Sequence, residues 1–121
     1  MRNGAGHKPL RVVVTGVCGS GKTVLAGGLK AMGYDAHAVA QEHSLVPELF
    51  LHARPDLVIY LEASDATVAE RKQTGWEPHQ LAEQRRRLRL ARERADIHLN
   101  TDGLEPSVLL ERAGEALAGR F

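Results

Sequence analysis

The residues best suited to chemistry lie together near the start of the chain, in Gly16-Val17-Cys18-Gly19-Ser20-Gly21-Lys22-Thr23. Glycines at 16, 19 and 21 allow the unusual dihedrals and close backbone approach of a turn whose amides point inward. Such a turn binds oxyanions. Lys22 adds a cation that can reach the β and γ phosphates of a nucleoside triphosphate, and the Thr23 hydroxyl is an oxygen ligand suited to Mg²⁺. The chemistry predicted is capture of a polyphosphate. With no Asn-Lys-x-Asp guanine signature in the chain, the nucleotide expected is ATP rather than GTP.

The spacing Gly16-x-x-x-x-Gly21-Lys22-Thr23 is the full Walker A pattern. Its flanks are of the required kind. Leu10–Thr15 is a β-branched run expected to be a fully buried parallel strand. Lys22–Met32 has Leu25, Leu29 and Met32 on one helical face. The N-terminus of that helix adds partial positive charge to the cradle. The nucleotide-binding set is therefore Gly16, Cys18, Gly19, Ser20, Gly21, Lys22, Thr23 and Val24. Cys18 reads as a small filler of a variable position rather than a redox switch.

Further elements must hold this cradle. Gly27 and Gly28 weaken the first helix and are explained if it packs closely on the sheet; Gly33 is a natural C-terminal cap. Ala36–Ala40 is a weak second strand, followed by Gln41–Ser44 and a short helix within Pro47–Ala53. Leu57–Glu62 is a strong third strand, and Ser64 can cap a helix from Asp65 to about Gln73. Thr74–Pro78 is a loop, Gln80–Arg94 one long helix with Leu81, Leu88 and Ala95 on its buried edge, and Ile97–Asn100 a fourth strand. Pro106 opens a last helix ending near Leu117. This alternation predicts one α/β domain over residues 1–121, with residues 1–9 a loose tail. The expected fold is a three-layer sandwich around a mostly parallel sheet of four, possible five, strands, of the P-loop nucleoside triphosphate hydrolase type.

Composition narrows the function classes. Aromatic residues are only 4% of the chain, so the core must be aliphatic. The net charge of +1 points to no acidic partner, but eight basic and three acidic residues fall between Arg71 and Arg94. The single cysteine, Cys18, excludes an intrachain disulfide. Met1–Pro9 has no apolar core like that of a signal peptide, and the longest apolar run, Leu57–Leu61, is too short to span a bilayer. A soluble, cytoplasmic protein with no membrane partner is expected.

The sequence resembles the small kinase branch of the P-loop NTPases, which holds nucleoside monophosphate, shikimate and dephospho-CoA kinases. Besides the Walker A segment, the likeness is carried by Pro55–Ser64 followed by Glu70-Arg71, and by Ala95–Gly103. The resemblance implies a lid over about residues 71–94, with Arg71, Arg85, Arg89 and Arg92 as the cations facing the transferring phosphoryl group. Arg85, Arg89 and Arg92 share one helical face by spacing; the bland alternative is a solvated face paired with Glu83 and Glu93. The resemblance also puts Asp102 in the loop beside the adenine, and an acid after the second strand, Glu42, next to the acceptor hydroxyl and the Mg²⁺ waters. His43 could do related work. Glu62, ending an apolar strand, mimics a Walker B acid, and Trp76 falls at the lid tip. Lys22, Glu42, Arg85, Arg89 and Arg92 are thus the catalytic candidates, and Thr23 and Glu42 the metal candidates. The other histidines show no metal-ligand spacing.

The chain departs from that family between the second strand and Pro55, where Gln41–Arg54 replaces a longer acceptor-binding insert. Two functions follow. One is a small Mg²⁺-dependent phosphotransferase acting on a nucleotide or small hydroxylated molecule, the acceptor itself unknown. The other is a regulatory or slow NTPase module without an acceptor site. Nucleic-acid binding through the arginine helix is disfavoured by the near-neutral charge. So short a chain could complete its site as a homodimer.

Overall fold

The computed structural model describes residues 9–72 and 77–120. The elements are β1 (Arg11–Gly16), α1 (Lys22–Ala31), β2 (Asp35–Ala38), 3₁₀ turns at Gln41–His43 and Leu49–Leu51, β3 (Leu57–Glu62), α2 (Asp65–Lys72), α3 (Pro78–Arg87), α4 (Arg89–Arg94), β4 (Ile97–Asn100) and α5 (Pro106–Ala118). The residues expected to form the tail, Met1–Lys8, and the expected lid tip at Trp76 lie outside the described residues.

Four strands form one sheet in the order β2-β1-β3-β4. All pairings are parallel, with Val14 opposite both Ala38 and Ile59, and Leu61 opposite Leu99. β1 is central and its three valines have no exposed surface, which explains why it reads as an unbroken apolar run. Helices cover both faces. Leu25, Ala26 and Leu29 of α1 and Leu109, Ala113 and Leu117 of α5 pack on Val12, Val14, Ile59 and Leu61. On the other face Val68, Leu81, Leu88 and Ala91, with Phe50, cover Val13, Val58 and Tyr60. Full burial of each large aliphatic side chain contributes about 1.5–3 kcal/mol, so no exotic interaction is needed to hold the layers together.

The sequence-derived elements need four adjustments. β2 begins one residue early, at Asp35, and stops at Ala38. The helix expected within Pro47–Ala53 is a single 3₁₀ turn. The long helix expected at Gln80–Arg94 is divided at Leu88, whose amide is shared between the Gln84 and Arg85 carbonyls at 3.1 and 3.2 Å. That tightening lets the completely buried Leu88 turn into the core. Met32, expected on the buried face of α1, is 52% exposed. Ser64 does cap α2, its Oγ accepting from the Thr67 amide at 3.2 Å, and Gly33 ends α1 with φ of 103°. Among the described residues no helix is long and apolar enough to cross a membrane.

The two helical glycines serve different ends. A Cβ on Gly28 would lie 2.9 Å from the Leu110 side chain, so the close approach is to α5 and not to the sheet. A Cβ on Gly27 would meet nothing within 4 Å. Gly27→Ala is therefore expected to raise stability by about 0.5–1 kcal/mol through helix propensity. Gly28→Val should lower it by about 1–3 kcal/mol through overpacking against α5. Urea unfolding of the two variants checks the opposite signs.

Candidate functional site

β1 delivers the chain to the C-terminal edge of the sheet, and the Gly16–Thr23 segment turns it into α1. Gly16 has φ of 156°, and a Cβ there would come within 2.5 Å of the Leu61 carbonyl oxygen, so glycine is dictated by space. Gly21, the residue before α1, is left-handed at φ 99° and ψ 14°. A Ser20 amide to Val17 carbonyl bond of 3.0 Å closes the turn, and Leu25 to Gly21 at 2.9 Å is the first helical bond.

Two side chains from elsewhere brace this turn. Gln84 Oε1 accepts from the Cys18 amide at 3.1 Å. Arg71 donates to the Gly19 and Ser20 carbonyls at 3.3 Å each, to Thr101 Oγ1 at 3.0 Å and to the Thr101 carbonyl at 2.5 Å. What remains points the other way. The amides of Gly19, Gly21, Lys22, Thr23 and Val24 find no acceptor among the described residues. α1 has no capping side chain and no acid in its first turn. The Ser20 hydroxyl is buried and unpartnered as well. A group of open donors at an acid-free helix N-terminus favours an anion.

Lys22 and Glu42 form the strongest electrostatic feature of the site. Lys22 Nζ donates to Glu42 Oε2 at 2.5 Å, with 12% of the lysine side chain and 2% of the glutamate side chain exposed. The second carboxylate oxygen, Oε1, is buried without a partner. Glu42 is held in place by its neighbour. The fully buried Gln41 donates to the Val46 carbonyl at 2.7 Å and accepts from the Phe50 amide at 2.9 Å, fixing the 3₁₀ turn after β2. Thr15 Oγ1 donates to the Val39 carbonyl at 2.8 Å and ties the same connection to β1. His43 Nε2 lies 3.6 Å from Glu42 Oε2, and Cys18, Glu42 and His43 each bring a ligand atom within 4.8 Å of the others.

Beside the loop, Gly21, Val24, Arg71, Leu104, Pro106 and Leu109 border a largely apolar hollow of about 270 Å³. Asp102 does not line it. Its carboxylate accepts from the Ser64 amide at 2.9 Å, across to the start of α2. That bond, helped by the Thr67 hydroxyl, holds the Asp102 carboxyl below the usual range.

The structure therefore gathers Lys22, Thr23, Glu42, Arg71 and the loop glycines at one place. It puts the remaining arginines at another. Arg85 donates to the Ala63 carbonyl at 2.8 Å and to Asp65 at 2.6 Å. Arg92 donates to Glu62 Oε2 at 2.5 Å, which raises its already high pKa further. Arg89 lines a second hollow, away from the loop, together with Tyr60, Glu62, Arg85 and Arg92. Arg86 and Arg87 pair with Glu83. Among the described residues no hydrogen bond or ion pair joins Arg85, Arg89 or Arg92 to the glycine loop. Sequence reasoning missed Gln84, Thr101, Leu104 and Pro106 as site residues. Gln84 did leave a signal, a polar residue between Leu81 and Leu88 on an apolar stripe.

No protein-family model matches the chain, and no curated protein matches it.

Tyr60 gives the hollow between β3 and α4 a measurable signature. It is 1% exposed, and burial, helped by the Glu62 carboxylate, pushes its hydroxyl up to about 12 from an ordinary 10. Above pH 10 the unfolded chain loses this proton while the folded chain keeps it, so stability falls as pH rises towards 12. Two units amount to about 2–3 kcal/mol. Urea unfolding between pH 9 and about 11.5 should show that decline, and Tyr60→Phe should flatten it.

Proposed function

We propose that this chain is a small P-loop phosphotransferase that binds Mg²⁺-ATP on the Gly16–Thr23 loop and passes its terminal phosphoryl group to a hydroxylated acceptor. The observation that carries the reading is the buried Lys22–Glu42 pair, 2.5 Å apart, at a loop where the amides of Gly19, Gly21, Lys22 and Thr23 find no acceptor among the described residues. An all-parallel sheet whose central strand leads through that loop into a helix supports the P-loop fold type.

Each residue has a distinct task. The loop amides and the Ser20 hydroxyl bind phosphate oxygens, with the helix N-terminus adding positive charge. A polyphosphate competes with Glu42 for Lys22, because both are anions seeking one ammonium. Drawn to the phosphates, Lys22 uncovers the Glu42 carboxylate. Glu42 then accepts a hydrogen bond from the acceptor hydroxyl, orients it and takes up its proton as the new P–O bond forms and the bond from the γ-phosphorus to the β–γ bridging oxygen breaks, ADP leaving with that oxygen. The Thr23 hydroxyl and the Glu42 carboxylate are hard oxygen donors and fit Mg²⁺, with Glu42 acting through water. When bound, Mg²⁺ supplies charge neutralisation on the phosphate oxygens. The base lies in the hollow bordered by Arg71, Leu104 and Pro106, apolar walls with one planar cation to stack on. Catalysis is mainly positioning and charge stabilisation.

One observation favours a second reading, a slow NTPase or regulatory module. The connection between β2 and β3 contains two 3₁₀ turns and no strand, leaving little chain to build an acceptor pocket. Phosphate release from ATP that is unchanged by any nucleoside, nucleotide or hydroxylated acceptor would select it over transfer.

Calorimetry and turnover assays separate the roles. Lys22→Ala should weaken ATP binding roughly 10–100-fold, the worth of a hydrogen bond to a charged group. Unchanged affinity would defeat the whole reading. Glu42→Gln should keep or improve ATP affinity, since Lys22 is released, yet lower transfer by about 10²–10⁴-fold. Wild-type transfer rates in that variant would remove Glu42 as the base.

A further inference from the structure

We propose that Cys18, Glu42 and His43 form a binding site for a divalent transition-metal ion of the zinc class. The site is separate in chemistry from the Mg²⁺ assigned above. Mg²⁺ takes oxygen ligands and has no use for a thiol or an imidazole; Cys, His and a carboxylate together are a zinc-type set.

Three observations carry the inference. A sulfur, a carboxylate oxygen and an imidazole nitrogen lie within 4.8 Å of one another. They come from two well-held segments, the turn between β1 and α1 and the 3₁₀ turn after β2. Cys18 is fixed through its amide by Gln84, and Glu42 follows the buried Gln41. Finally, Glu42 presents an oxygen that the protein leaves unused. Lys22 takes Oε2, while Oε1 is buried with no partner, a costly arrangement unless a cation or donor joins it.

The geometry needs little adjustment. Zinc bonds of about 2.0–2.3 Å place tetrahedral ligands roughly 3.3–3.8 Å apart, so atoms now within 4.8 Å of one another must close by at most about 1–1.5 Å. The His43 side chain is 47% exposed, which leaves its ring open to an ion arriving from solvent. On binding, the Cys18 thiol gives its proton to water as the metal–sulfur bond forms. Three protein ligands leave a fourth position for water. The Lys22 ammonium shares the Glu42 carboxylate and opposes the metal electrostatically, so Lys22 and the ion compete for one charge.

That competition gives the test an unusual pattern. The full chain, reduced and stripped with a chelator, is titrated with Co²⁺ and then Zn²⁺ in the absence of nucleotide. A thiolate-to-cobalt charge-transfer band that Zn²⁺ bleaches is expected. Cys18→Ser should abolish the band, and His43→Ala should weaken Zn²⁺ binding at least tenfold. Lys22→Ala should strengthen it, the reverse of its effect on ATP. Circular dichroism verifies the fold of each variant. In the wild type, where no substitution is involved, Zn²⁺ should protect Cys18 from alkylation by iodoacetamide. No charge-transfer band, or alkylation unaffected by saturating Zn²⁺, overturns the site. Because no nucleotide is present, that failure is independent of the ATP reading.

Discussion

A carboxylate buried beside the glycine loop needs a cation, and the cation must arrive on a different element. Glu42 follows β2, whereas Lys22 is the first residue of α1. Their meeting requires β2 to lie beside β1 in the register that pairs Val14 with Ala38. It also requires the chain after β2 to turn back at once, which Gln41 enforces with bonds in both directions. Removing either partner of such a pair strands a charge at a typical cost of about 3–5 kcal/mol. The pair therefore constrains strand order, the 3₁₀ turn and the start of α1 together.

The loop itself is held from outside. Its carbonyls on one side are taken up by Arg71, and the Cys18 amide by Gln84, so its shape does not depend on what enters the concave side. Preorganised donors are worth more than flexible ones, because no reorganisation is needed when charge arrives. The position follows the general rule for open α/β sheets, in which sites form beyond the carboxyl ends of the strands. Here the ends of β1 and β3 are adjacent, Gly16 lying opposite Leu61. The close contact that forbids a Cβ at Gly16 is the same contact that seats the loop on β3.

Much of this was legible before any coordinates. The valine run of β1, the glycine spacing, the Ser64 cap and the proline at the start of α5 each encode local structure. The candidate loop was readable for the same reason, as was the alternation that implies a parallel sheet; Glu42 was singled out only through the resemblance. Distances between remote segments were not. Nothing in a one-dimensional pattern says that Gly28 faces Leu110, that Asp102 serves Ser64, or that Cys18 comes within 4.8 Å of His43. Leu88 misled in a subtler way. Its spacing from Leu81 fits one continuous helix, but full burial at that point favoured a tightened turn and two shorter ones.

The arginine stretch shows why charge counts along a chain are a poor guide to a field in space. Eight basic residues between positions 71 and 94 look like one cationic surface. In the fold they separate by partner. Arg86 and Arg87 are neutralised locally by Glu83, as i,i+3 and i,i+4 neighbours on a helix surface commonly are. Arg85 and Arg92 converge on Glu62. Arg71 alone among those with a defined partner reaches the glycine loop, and it does so through backbone carbonyls rather than an ion pair. The positive potential at the loop therefore comes from Arg71, Lys22 and the helix N-terminus, set against the Glu42 carboxylate on Lys22 and the exposed Asp102 carboxylate near Arg71. Such a balance holds a buried acid in place and still leaves the loop electropositive.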